Sequence, residues 1–257
     1  MTNVHPTAIV SRKAELGEGV SIGPYTIVED NVVIGEGTRV ASTALIASGA
    51  RIGRNCTVAH GAVIATVPQD LKFEGEESEV EIGDNTVVRE YATINRGTKA
   101  SGTTTVGTDC LIMAYAHIAH DCVIGDHAIL SNAVNLAGHI EIGDWAILGG
   151  VLPVHQFVKI GAHAMIGGGF RVQQDVCPFA LAAGYPLKVV GLNIVGLRRR
   201  NFQPEILRKL ESVFKILFFS GLNTSQAVER IESEVELVPE VRTILDFVRN
   251  TERGLVK

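Results

Sequence analysis

The chain has 257 residues, 46% of them hydrophobic and 20% charged, with a formal net charge of −5. This composition excludes an intrinsically disordered chain, and no apolar run approaches the ~18 residues that span a bilayer. The opening Met1-Thr2-Asn3-Val4-His5-Pro6 lacks the basic and apolar regions of a secretory signal. A cytoplasmic protein is therefore expected, with its four cysteines reduced and neither a membrane span nor a nucleic-acid partner. Aromatics make up only 5% against 27 glycines, so the core must be built from Val, Ile, Leu and Ala. The charge is uneven. Residues 1–177 carry 11 Lys+Arg against 19 Asp+Glu, whereas residues 178–257 carry 12 against 9. An acidic partner fits the second part better.

From Val4 the chain repeats in hexads. Aliphatic side chains fill 26 of the 29 positions from Val4 to Val172, the exceptions being Asp70, Glu76 and Ala100. The position four later is small, as at Cys56, Cys110, Cys122, Ala128, Ala146 and Ala164. A period of six suits neither an amphipathic helix nor a hairpin strand. It suits a triangular parallel solenoid in which three hexads make one coil and coils stack at ~4.8 Å. Glycine often follows the aliphatic residue, as in Ile34-Gly35, Ile52-Gly53 and Ile124-Gly125, which predicts corners with an unusual backbone angle.

The three exceptions place two loops, at about residues 66–79 and 96–104. The hexads stop after Cys177-Pro178, which divides the chain into a solenoid over 1–178 and a helical unit over 179–257. In the latter, Pro204 opens a helix through about Phe219. Asn223-Thr224 caps a second, and Pro239 opens a third that ends near Gly254.

None of the eight histidines falls in an inward slot. Translation by one coil of three hexads stacks His120, Gly138 and Gln156 in one column, with Asp121 and His139 in the next. A base, a glycine N–H, an amide and a carboxylate thus converge within two coils, an arrangement suited to proton abstraction with oxyanion stabilisation. Plain surface or subunit-contact histidines remain the alternative. His117, His155 and His163 are close in sequence but less constrained. Cys56, Cys110 and Cys122 occupy inward slots, unsuited to a nucleophile.

Four segments carry a more specific signal: Pro68-Gln69-Asp70-Leu71-Lys72, His117-Ile118-Ala119-His120-Asp121, Leu136-Ala137-Gly138-His139 and Val154-His155-Gln156-Phe157. With Asn193-Ile194-Val195-Gly196-Leu197-Arg198-Arg199-Arg200, the chain resembles the UDP-N-acetylglucosamine acyltransferases of lipid A biosynthesis over essentially its whole length. The resemblance implies a left-handed parallel β-helix with a C-terminal α-helical domain, assembled as a homotrimer. It implies transfer of a 3-hydroxyacyl group from acyl carrier protein to the glucosamine 3-hydroxyl of UDP-N-acetylglucosamine, with no metal, cofactor or covalent intermediate.

By that resemblance His120 is the general base, Asp121 supports its imidazolium, and the Gly138 N–H stabilises the oxyanion. Gln69, Asp70, Lys72, His117, His139 and Gln156 position the sugar nucleotide, and Asn193, Arg199 and Arg200 contact the nucleotide or carrier. Gly168 and Met165 lie where similar enzymes set acyl-chain length, and a glycine there implies a groove open to a longer chain. The family often carries Glu where this chain has Val195. Three other readings stand beside this one: a zinc hydratase resembling γ-class carbonic anhydrase through His117, His120 and His139, a non-catalytic scaffold, and an N-acyltransferase of the same pathway.

Overall fold

The computed structural model describes residues 2–257. Each hexad forms a short strand, usually of two residues, and successive strands pass in rotation to three parallel sheets. In the two-residue strands the second residue turns inward, so Ile22, Val28 and Ile34 are buried while the residue before each faces out. Three flat walls around one aliphatic core make a left-handed parallel β-helix of triangular section. Ile46, Ile64 and Ile118 are fully buried, each contributing roughly 1.5–3 kcal/mol by leaving water. The small position is also inward. Where it is threonine, the hydroxyl is satisfied by backbone, as when Thr38 and Thr86 donate to the Gly53 and Gly107 carbonyls at 2.8 Å each.

The glycines that follow the aliphatic residue do not take the positive φ expected of them. A Cβ on Gly35 would stand 2.5 Å from the Gly53 carbonyl carbon in the next coil. These glycines are present because adjacent coils approach closely there. The positive φ falls two residues after that slot, whether or not a glycine fills it, at Tyr115, Asp121, His139 and Trp145 (φ 60 to 62°). Corners are therefore lined by side chains, and this is what allows them to carry chemistry.

Coils normally repeat every three hexads, as in the pairing of Ile118 with Leu136. Val58 pairs with Val88 and Val88 with Ile112, so the two loops insert two hexads and then one without losing phase. Ile64, Ile94 and Ile118 stack in one sheet. Both loops consequently leave at a single corner, the one that carries Asp121 one coil further on.

Beyond the hexads, Ala180–Ala183 continues the first sheet beside Met165–Ile166, and Lys188–Leu192 adds to it antiparallel. Four helices follow: α1 (Ile194–Arg199), α2 (Pro204–Phe219), α3 (Thr224–Glu234) and α4 (Pro239–Arg249). Proline opens α2 and α4, and Asn223 with Gln226 forms a capping box on α3. Helix α1 has no counterpart in the sequence pattern, because so short a segment, interrupted by Gly196, shows no apolar period. Helix α4 stops at Arg249, short of the expected Gly254, because residues 251–256 are drawn away to Asp175. Among the described residues no helix is long and apolar enough to cross a membrane.

Candidate active site

Asp121 is held from several sides. Its backbone N–H donates to the inward Thr104 hydroxyl at 2.8 Å. Its carboxyl is almost wholly buried and accepts from the Thr98 N–H at 2.9 Å, the Thr98 hydroxyl at 2.7 Å and the Ser101 hydroxyl. His120 Nδ1 is a further partner at 2.7 Å. Burial alone pushes this carboxyl up, but the bonds from Ser101, His120 and Thr98 outweigh it and bring it down to about 2.

Asp121 is thus ionised at neutral pH and can only accept. His120 must carry its proton on Nδ1, which leaves the Nε2 lone pair free. That is the tautomer a general base requires.

Gly138 lies one coil beyond His120, and its register is set by the His139 N–H, which donates to the His120 carbonyl at 3.1 Å. The Gly138 N–H donates to no group among the described residues. Gln156 completes the column: the Phe157 N–H donates to the Gly138 carbonyl at 3.2 Å, and Gln156 is exposed. The His139 ring meets His120 edge-on at 5.0 Å and stacks on Phe157 at 4.5 Å, with Nδ1 3.7 Å from Asp121 Oδ2. His117, in the strand before the corner, pairs with the Thr93 hydroxyl at 2.7 Å. Burial, and then the nearby His120, hold its pKa below the usual histidine range.

The two loops stack above this corner. Asn95 Nδ2 donates to the Val67 carbonyl at 3.2 Å, and the Lys99 N–H to Glu76 at 3.0 Å. In the longer loop Asp70 accepts from the Lys72 N–H at 2.9 Å, which closes a turn. Among the described residues no hydrogen bond joins Gln69, Asp70 or Lys72 to the His120 cluster.

Other expected residues sit elsewhere on the prism. Asn193 is buried and caps α1, accepting from the Gly196 N–H at 3.2 Å and donating to the His163 carbonyl at 2.9 Å. Arg200 donates to the Trp145 carbonyl at 2.8 Å, meets His163 Nδ1 at 3.1 Å and lies over the Trp145 ring at 5.1 Å. Arg199 and Val195 are exposed. These four belong to the Trp145 corner, not the Asp121 corner. Met165 faces out from the first sheet beside Ile147 and Leu181. Gly168 lies at the third corner, where a Cβ would stand 2.8 Å from the Gly150 carbonyl oxygen, so bare backbone fills that space.

The trio of the alternative zinc reading, His117, His120 and His139, does not assemble among the described residues. His120, Asp121 and His139 do bring ligand atoms within 4.8 Å of one another, but His117 is engaged by Thr93. The four cysteines are free and buried. Desolvation raises the thiols of Cys110 and Cys122 to about 11 and about 12.

Thr98 and Ser101 were not legible as site residues. The signal that reaches them is the register with its inserted hexad: four hexads before Asp121 the chain is at Gly97, directly beside Thr98.

Residues 175–256 match the family described as UDP N-acetylglucosamine O-acyltransferase, domain 2. Residues 13–48, 31–66 and 103–137 match the bacterial transferase hexapeptide (six repeats) family. An acyl-[acyl-carrier-protein]–UDP-N-acetylglucosamine O-acyltransferase of Chlorobaculum tepidum is 56% identical over 96% of this chain and 94% of its own. Its counterpart in Thermodesulfovibrio yellowstonii is 45% identical over 100% of both chains. The crystal structure of a UDP-N-acetylglucosamine acyltransferase from Bacteroides fragilis is 44% identical, with a TM-score of 0.96 over 98% of this chain and 99% of that one. The chain belongs to the UDP-N-acetylglucosamine O-acyltransferase family.

Proposed function

We propose that this chain transfers a 3-hydroxyacyl group from acyl carrier protein to the glucosamine 3-hydroxyl of UDP-N-acetylglucosamine, the opening step of lipid A synthesis, in the cytoplasm. The observation that carries the reading is the His120 ring, fixed through Nδ1 by Asp121 and packed on Gly138, whose N–H bonds to no group among the described residues.

His120 Nε2 takes the proton of the sugar hydroxyl as its oxygen attacks the thioester carbonyl carbon. The Gly138 N–H receives the developing oxyanion. Collapse breaks the carbon–sulfur bond, and the departing thiolate takes the proton back from His120. Asp121 supports the transient imidazolium. No protein group is acylated in this sequence.

His117, His139 and Gln156 border the reacting sugar, and the loop bearing Gln69, Asp70 and Lys72 reaches it from above. Asn193, Arg199 and Arg200 stand at another corner, and Gly168 with Met165 lie toward the third. One copy therefore cannot present all of them to one substrate. A homotrimer with sites between copies unites them, with Asn193 as the rigid base from which the arginines reach phosphate oxygens. Residues 1–178 then supply the chemistry, and the cationic unit over 179–257 receives the acidic carrier.

The test uses purified protein with 3-hydroxyacyl carrier proteins of several chain lengths and either UDP-N-acetylglucosamine or its 3-amino analogue. Acylated sugar nucleotide is expected from the native chain and none above background from His120→Ala. Full transfer by His120→Ala would overturn the assignment. The His120–Asp121–His139 grouping supports a second reading, metal-dependent catalysis. Activity lost on chelation and restored by zinc would favour it.

A further inference from the structure

Residues 251–256 form a strap fastened by one buried carboxyl beside the cleft that Asp121 and His139 line. Asp175 is fully buried. One of its oxygens accepts from the Lys159 N–H at 2.8 Å, and the other from the Thr251 hydroxyl and the N–H groups of Glu252 and Arg253. The backbones of Asp175 and Leu255 form one isolated parallel bridge. Fastened this way, Glu252 joins Asp121, His139 and Phe157 in the cleft wall.

Arg253 is turned onto His155, with Nη2 2.9 Å from Nδ1. His155 Nδ1 also lies 3.0 Å from the Gln156 carbonyl oxygen, so it sits between the guanidinium, which donates, and a carbonyl, which accepts. His155 directly precedes Gln156, two coil steps of ~4.8 Å beyond His120. The two glutamates of the wall are already countered: Lys159 lies 3.4 Å from Glu141 and 3.9 Å from Glu252. Among the described residues Arg253 has no carboxylate partner, so its remaining donors are uncommitted cationic groups next along the chain from Glu252 in that wall.

We propose that Arg253, placed by the Asp175 clasp and held against His155, binds a phosphate ester of a substrate that reaches His120 past Asp121 and His139. This rests on the acyltransferase reading above. Such an ester occurs in both substrates, as the diphosphate of the sugar nucleotide and the phosphodiester of the carrier's pantetheine arm.

The experiment compares the full-length native chain with Arg253→Ala and Arg253→Lys. It measures the Kd of UDP by calorimetry, the KM for acyl carrier protein, kcat and Tm. Loss of a charge-assisted bond predicts roughly tenfold or greater weakening of one arm or both in Arg253→Ala, with kcat and Tm held and partial recovery in Arg253→Lys. The arm that moves identifies the phosphate. Unchanged values in both arms, or weakening only alongside a fall in Tm, would overturn the proposal. A native chain that neither binds UDP nor transfers an acyl group would instead bring down the acyltransferase reading itself.

Discussion

A Cβ on Gly138 would stand 2.5 Å from Cε1 and 2.7 Å from Nε2 of His120. The imidazole therefore lies directly against the glycine backbone, and any larger residue must push it aside. Gly138→Ala is expected to lower kcat by ~100-fold, the scale of a displaced general base, while the Tm stays near that of the native protein. Steady-state kinetics with a thermal melt checks this. A near-native kcat would show that the ring has room to spare.

Thr98 and Ser101 supply three of the hydrogen bonds that hold Asp121 ionised. Its folded pKa of about 2 lies below the ordinary value of 3.8. The stability it contributes is therefore complete above about pH 4 and is lost as pH falls towards about 2. Thr98→Val with Ser101→Ala should raise that folded pKa, weaken the protein at pH 7 and flatten its acid limb. Urea titrations from pH 2 to 7 read this directly, and kcat should fall in the same variant.

His163 is held neutral by burial first and then by the Arg200 guanidinium, which bring its pKa from 6.5 to about 4. In the unfolded chain this histidine takes up a proton at higher pH than in the folded one. Its contribution is thus present above about pH 6.5 and lost as pH falls to about 4. Arg200→Ala should move the His163 titration upward in an NMR series. An unmoved midpoint would mean that burial alone sets it.

All four thiols are buried, and desolvation raises each of them. Maleimide at pH 7.5 should label no cysteine of the folded protein and leave acyl transfer intact, with four labelled after denaturation. Inactivation by stoichiometric labelling of the folded chain would contradict this.

Much of the solenoid was legible because its core obeys a strict period. Once Ile118 is known to face inward, the outward turn of His120 and its alignment with Gly138 follow by counting. The corners were misread because glycine marks close approach at Gly35, whereas the left-handed angle is carried by Asp121, His139 and Trp145. Thr98 and Ser101 escaped because a single inserted hexad has no period of its own. The strap escaped for a different reason: Asp175 lies in irregular chain, and Thr251 bonds to it from 76 residues away. Helix α1 lacks an apolar stripe and depends on the Asn193 cap.

The two loops lengthen the coil repeat by two hexads and by one, so neither breaks the phase. The solenoid thus behaves like a reading frame. Adding or removing a single residue within its walls would turn every later side chain out of phase, exchanging core for surface from that point to the end of the prism. Adding one full coil of three hexads ahead of the catalytic corner would shift it ~4.8 Å along the axis without rotating it. Length can therefore change in this architecture while the orientation of its chemistry does not.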